Sequence, residues 1–109
     1  MNFNSYQHKA LKSAVYPNRG NNIVYPVLGM NGEAGEVAEK VKKILRDKEG
    51  KWTEEDREEI KKEIGDVLWY CAATASEFGL DLQGVAEANI IKLHDRLKRN
   101  KIHGSGDNR

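Results

Sequence analysis

The stretch Gly32-Glu33-Ala34-Gly35-Glu36-Val37 is echoed thirty residues later by Lys62-Glu63-Ile64-Gly65-Asp66-Val67. The register pairs Met30 with Ile60, Glu33 with Glu63, Gly35 with Gly65, Glu36 with Asp66, Val37 with Val67 and Val41 with Cys71. Each copy sets two carboxylates three residues apart, and on a helix such positions are neighbours on one face. Like charges at that spacing repel, so two such pairs packed together call for a positive centre. Carboxylates without accompanying histidine or cysteine suit a hard cation, Mg²⁺ first and Mn²⁺ as the alternative. The competing reading is a set of ordinary solvated acids in a chain that is 32% charged.

Position on the helix separates the two readings. With successive residues turned by about 100°, Ile60, Ile64, Val67, Cys71, Ala75 and Phe78 form one apolar stripe. Glu63 and Asp66 fall on its flank. Met30, Ala34, Val37, Val41, Ile44 and Leu45 form the equivalent stripe of the other copy, with Glu33 and Glu36 on the matching flank. From Asp66 onward the segment is apolar nearly all round, so Asp66 is expected to be buried. A buried carboxylate needs partners, and a cation supplies them.

Working outward, Gly79 ends this third helix and Asp81 or Leu82 starts a fourth, with Leu82, Ala86, Ile90, Leu93 and Leu97 as its stripe. Asn89, Lys92 and Arg96 lie on the corresponding flank. Upstream, a short helix over about Ser5 to Val15 is stopped by Pro17, and the Pro-, Gly- and Asn-rich run to Asn22 reads as a connector that also lies close to the acidic helix. The second helix spans Val24 or Pro26 to Arg46. Its glycines at 29, 32 and 35 imply either close approach of another helix or a ligand-facing, locally unwound start. Thr53 is an N-cap, with Glu54, Glu55 and Asp56 in the first turn of helix three. No stretch alternates as a strand. The fold class is therefore all-α, a four-helix bundle or a close variant, with residues 1–103 as the helical domain and 104–109 as a flexible polar tail. Trp69 and Ala73 lie nearly opposite the stripe of helix three, so a second subunit or a second packing face within the chain must cover them.

Eighteen basic against seventeen acidic residues leave a net charge of +1, which argues against nucleic acid and anionic membranes as partners. Acids crowd the middle of the chain and bases its end. The single Cys71 excludes an intrachain disulfide, and there is neither a basic, apolar leader nor a run long enough to span a bilayer. A cytoplasmic protein is expected.

Laid out this way, the chain resembles the MazG-like, all-α nucleoside triphosphate pyrophosphohydrolases over almost its whole length. The likeness rests on Gly-Glu-Ala-Gly-Glu-Val at 32–37, similar to the second half of the family's E-E-x-x-E motif, on Glu-Ile-Gly-Asp-Val-Leu-Trp-Tyr at 63–70, similar to its E-x-x-D motif, and on Ala-Asn-Ile-Ile-Lys-Leu at 88–93. The ending Gly-Ser-Gly-Asp-Asn-Arg at 104–109 is similar to the phage-type branch. The resemblance implies Mg²⁺-dependent cleavage of a nucleoside triphosphate to monophosphate and pyrophosphate, with Glu33, Glu36, Glu63 and Asp66 as metal ligands. Gly32 stands where the family motif has its first acid, so that acid's role is dispensable, taken by Glu39, or lost.

It further implies Glu33 as the acceptor of the water proton, Lys92 and Arg96 as phosphate-binding cations, Asn89 on sugar or phosphate, and a homodimer or homotetramer. A tail folded over bound nucleotide would bring Arg109 to the phosphates. A phage-like context favours deoxynucleotides. Two other classes compete. A di-iron bundle wants Glu-x-x-His, and none of His8, His94 and His103 stands three residues after a Glu. A non-catalytic helical interaction module, antitoxin-like in role, would carry the same acids as structural charges.

Overall fold

Thr53 begins the third helix as its sequence implies: its hydroxyl accepts from the Asp56 N–H while the Asp56 carboxylate accepts from the Thr53 N–H, a reciprocal cap that satisfies two otherwise orphaned donors. The computed structural model describes residues 1–109 as four α-helices with no strand: α1 (Phe3–Ala10), α2 (Val24–Lys48), α3 (Glu54–Glu77) and α4 (Leu82–Lys98), with a 3₁₀ turn over Leu11–Ser13. The all-α expectation holds. No helix is long and apolar enough to cross a membrane.

α2 and α3 form a long antiparallel hairpin. Lys48 meets Asp56 near the turn, Lys40 meets Glu59 and Glu63 further along, and Met30 touches Cys71 towards the open end. Beyond Met30, Gly29 admits the Tyr70 ring: a Cβ there would lie 2.2 Å from Tyr70 Cε1, so this glycine is a packing requirement. Gly32, Gly35 and Gly65 face open space within the chain.

The N-terminal segment covers the face of α3 that carries Trp69 and Ala73. Ala14, Tyr16 and Ala73 form one buried cluster against Leu11 and Trp69, and the indole N–H donates to Ala10 O and Ser13 Oγ. Of the two covers expected for this face, the chain supplies its own. α3 is apolar on two faces, and α1 with its 3₁₀ extension takes one of them.

The other face, expected to be the core, is covered only in part. Ile64 is 56% exposed and Leu97 68%, and Val41, Leu45, Phe78 and Ile90 are exposed as well, whereas Ile60, Val67 and Cys71 are half-buried and Ile44, Ala75 and Leu82 are buried. Asp66, expected to be buried, is exposed for the same reason. Only ten of 109 residues are buried, and the radius of gyration is 16.7 Å, against about 13 Å for a self-contained domain of this length. The chain is an open arrangement of helices, and its four-helix core does not close upon itself.

α4 leaves α3 through a sharp turn at Gly79, whose φ is +68°, and is capped by Asp81, whose carboxylate accepts from the Gly84 N–H. Buried Gln7 of α1 sets the turn. Its amide NH₂ donates to Ser76 Oγ and Leu80 O, and its carbonyl accepts from the Leu82 N–H.

Candidate functional site

The face of α2 that carries Glu33 continues through Glu36 to Lys40, at steps of three and four residues, and α3 presents Glu59, Glu63, Asp66 and Tyr70 at the same steps. Packing the two antiparallel faces together places one ligand oxygen each of Glu33, Glu63 and Asp66 within 4.8 Å of one another. Glu33 and Glu63 are half-buried at the helix seam, and Asp66 opens to solvent. Glu36 lies one turn along α2, exposed and outside this group. Three of the four expected metal ligands are thus brought together, from both sequence copies.

Electrostatic strain marks the group. Loss of hydration raises the Glu33 carboxyl above its ordinary value, and the Asp66 charge, the contact with Glu63 and the Glu36 charge raise it further. The protein's own relief is partial: Lys40 Nζ lies 3.7 Å from both Glu63 and Glu59. The donor set is oxygen only and over-supplied with negative charge, which fits a hard divalent cation.

A pH dependence follows. In metal-free buffer the folded chain holds the Glu33 proton more tightly than the unfolded chain does. Linkage therefore makes this group's contribution to stability fall as pH rises from the ordinary 4.5 through the higher folded value. Wild type should lose melting temperature relative to Glu33→Gln as pH rises above 4.5 in EDTA, and Mg²⁺ at neutral pH should reverse the difference. Parallel curves for the two proteins would show that Glu33 feels no such field.

Lys40 was not singled out from the sequence, where Tyr70 closes the 63–70 motif. Both carry a signal, since Lys40 follows Glu36 by four residues and Tyr70 follows Asp66 by four. Tyr70 sits over Gly29, one helical layer beyond Glu33 and Asp66, and burial first, then the neighbouring Tyr25 and Glu33, raises its phenol. Tyr25 stacks on Tyr16 with ring centroids 5.0 Å apart. The Tyr16 hydroxyl and the Gly20 N–H both bind the Glu77 carboxylate, which ties the 17–22 connector to the end of α3.

The cations of α4 form a separate group. Lys92 and Arg96 share one partner, Asp107 of the C-terminal tail, and Asn89 on the same helix is exposed. α4 packs on α1 through the Gln83 contacts to Phe3 and Asn4, and no ion pair links Lys92 or Arg96 to Glu33, Glu63 or Asp66. Arg109 turns onto its own segment, donating to Lys101 O, Ile102 O and Gly106 O.

Residues 27–100 match the MazG nucleotide pyrophosphohydrolase domain, a span that takes in both acid pairs and the α4 cations. The chain belongs to this family. Within this MazG-family chain, α1 and the tail lie outside the matched span. The chain is also similar to the Gene 37 protein of Mycobacterium phage L5, at 45% identity over 114 residues covering 100% of each chain. That relative is a phage protein, as the phage-type ending implies. No solved structure matches.

Proposed function

We propose that this protein hydrolyses a deoxynucleoside triphosphate to the monophosphate and pyrophosphate in a Mg²⁺-dependent reaction, with Mn²⁺ as a substitute metal. The observation that carries the reading is the convergence of Glu33, Glu63 and Asp66 on one point of the α2–α3 seam in a MazG-family chain. Glu33, Glu63 and Asp66 would hold the metal, with Glu36 joining from one turn away. Bound Mg²⁺ supplies charge neutralisation of the phosphates and activation of water.

The chain's own residues do the rest. As the water oxygen bonds to the α phosphorus and the bond to the α–β bridging oxygen breaks, Glu33 takes the proton that the water loses. Pyrophosphate leaves with the electron pair. Lys92 and Arg96 bind phosphate oxygens, Arg96 through its planar donor fork, and Asn89 bonds sugar or phosphate. Arg109, at the end of the tail, is the remaining cation proposed for the phosphates once substrate is bound. The preference for a deoxynucleotide is supported by the likeness to a phage protein.

Lys92 and Arg96 lie on a helix whose apolar residues are exposed, so assembly completes the site: a homodimer or dimer of dimers buries the bare stripe. Val41, Leu45, Trp52 and Ile64 line an open groove of about 640 Å³ on the α2–α3 hairpin. Sedimentation velocity at micromolar concentration should give a dimer or tetramer, and a monomer there would remove this part of the reading.

³¹P NMR of the products from each deoxynucleoside triphosphate with Mg²⁺ tests the reaction. Monophosphate with pyrophosphate is expected. Diphosphate with orthophosphate would place the cut elsewhere, and no turnover by folded protein would favour the interaction module.

A further inference from the structure

We propose that Asp107 is a built-in anionic latch: its carboxylate occupies the Lys92–Arg96 cation pair and must leave before a phosphate chain can bind there. This rests on the reading of Lys92 and Arg96 as phosphate-binding groups. Arg96 is 5% exposed, unusual for an arginine on a helix whose apolar residues are largely bare. Its cover is the tail. Arg96 Nη2 donates to the Asp107 backbone oxygen and lies 3.2 Å from Asp107 Oδ1, while Lys92 Nζ donates to the same Oδ1 at 2.7 Å.

The route of the chain explains how one acid reaches two cations a helical turn apart. Asn100 takes a left-handed conformation with φ +57°, and the Lys101 N–H closes back onto Arg96 O at 2.7 Å, ending α4 and reversing the chain. Gly104 and Gly106, both at positive φ, carry the reversal on. Arg109 then clasps the loop from inside through the carbonyls of Lys101, Ile102 and Gly106, and Arg99 donates to Arg109 O at 2.7 Å. Asp107 is the single acid after Asp95, in a segment with Arg96, Lys98, Arg99, Lys101 and Arg109. The tail's one acidic side chain sits on the two cations assigned to phosphate.

A carboxylate in this position imitates a phosphate oxygen in charge and acceptor geometry. It holds a Lys92 donor and the Nη2 edge of Arg96 and offsets their charge, so a phosphate chain engages the pair once it leaves. A triphosphate brings more negative charge than the single carboxylate and displaces it, whereas a monophosphate competes poorly. The latch therefore lowers apparent affinity for every phosphate ligand by the fraction of time it is closed, and it favours release of the monophosphate product.

The test uses the full chain with Mg²⁺ and inorganic tripolyphosphate as probe. In wild type, saturating tripolyphosphate should give the amides of Gly104, Gly106 and Asp107 fast-motion ¹⁵N relaxation, as the tail lets go. In Asp107→Asn those amides should be released without probe, and the dissociation constant should fall about fivefold. Asp107→Ala, which leaves Arg109 in place, should give the same affinity gain, and this guards against a new contact made by the asparagine. Lys92→Met should weaken the probe in both backgrounds. Equal affinity in wild type, Asp107→Asn and Asp107→Ala, with Lys92→Met still weaker, would overturn the latch and leave the phosphate reading standing. Unchanged affinity in Lys92→Met would remove the phosphate reading, and the latch with it.

Discussion

Pyrophosphate release by Glu63→Gln should fall about a thousandfold below wild type, a loss of about 4 kcal/mol of transition-state stabilisation, while the fold is kept. Glutamine matches glutamate in size and removes one negative charge from the three carboxylates gathered within 4.8 Å. The site then binds its cation more weakly and neutralises the triphosphate less completely. Stability should move the other way. In metal-free buffer the charges of Glu63 and Asp66 oppose that of Glu33, so neutralising Glu63 relieves repulsion, and the melting temperature in EDTA should equal or exceed that of wild type.

A fall in activity with no fall in stability is hard to attribute to misfolding. Glu59→Gln is the matched control, because Glu59 contacts the same Lys40 ammonium at 3.7 Å but stands outside the cluster. Its turnover should stay within about twofold of wild type, as expected for a surface ion pair. If Glu63→Gln kept a tenth or more of the activity, the α2–α3 acids would not be the catalytic centre.

What the sequence made legible was periodic. The repeated acid pairs, the Thr53 cap and the stripes of α2, α3 and α4 all follow from the 3.6-residue turn and local capping chemistry, which act between residues close in sequence. The acid convergence belongs here too, because an antiparallel hairpin of two similar faces has few registers. The assignment of faces did not follow. α3 is apolar both along Ile60, Ile64 and Val67 and around Trp69 and Ala73, and periodicity gives no indication of which face α1 takes. The exposure of Asp66 goes with the incomplete cover of the first of these faces. Gln7 and Asp107 were hidden for a different reason: each is a single polar residue whose partners lie far along the chain or across a glycine-rich reversal, and no local pattern encodes such a meeting.

Gln7→Ala should cost about 3 kcal/mol, because two polar groups of the α3–α4 turn lose their partner in a buried setting. Leu80 O and the Leu82 N–H face the Gln7 amide at 3.1 and 2.8 Å, and Ser76 Oγ receives the same NH₂ at 2.8 Å. Water cannot easily replace it there: Leu82 is 6% exposed and sits in a cluster with Ala72 and Ala75. At fixed protein concentration the melting temperature should drop by about 15 °C.

The functional consequence separates the two halves of the site. Gln7 fixes the angle at which α4 leaves α3, and with it the placement of Lys92 and Arg96, but it touches nothing on the α2 acid face. At a temperature where the variant is folded, KM for the triphosphate should therefore rise several-fold. The affinity for Mg²⁺ alone, set by Glu33, Glu63 and Asp66 on the α2–α3 hairpin, should stay at the wild-type value. Gln7→Glu keeps an oxygen for the Leu82 N–H and loses the two donations, so it should fall between wild type and alanine only if its charge is neutralised at low pH. A parallel loss of metal affinity and KM in Gln7→Ala would show that the turn supports the hairpin as a whole. Unaltered stability would show that the buried amide is not what holds α1, α3 and α4 together.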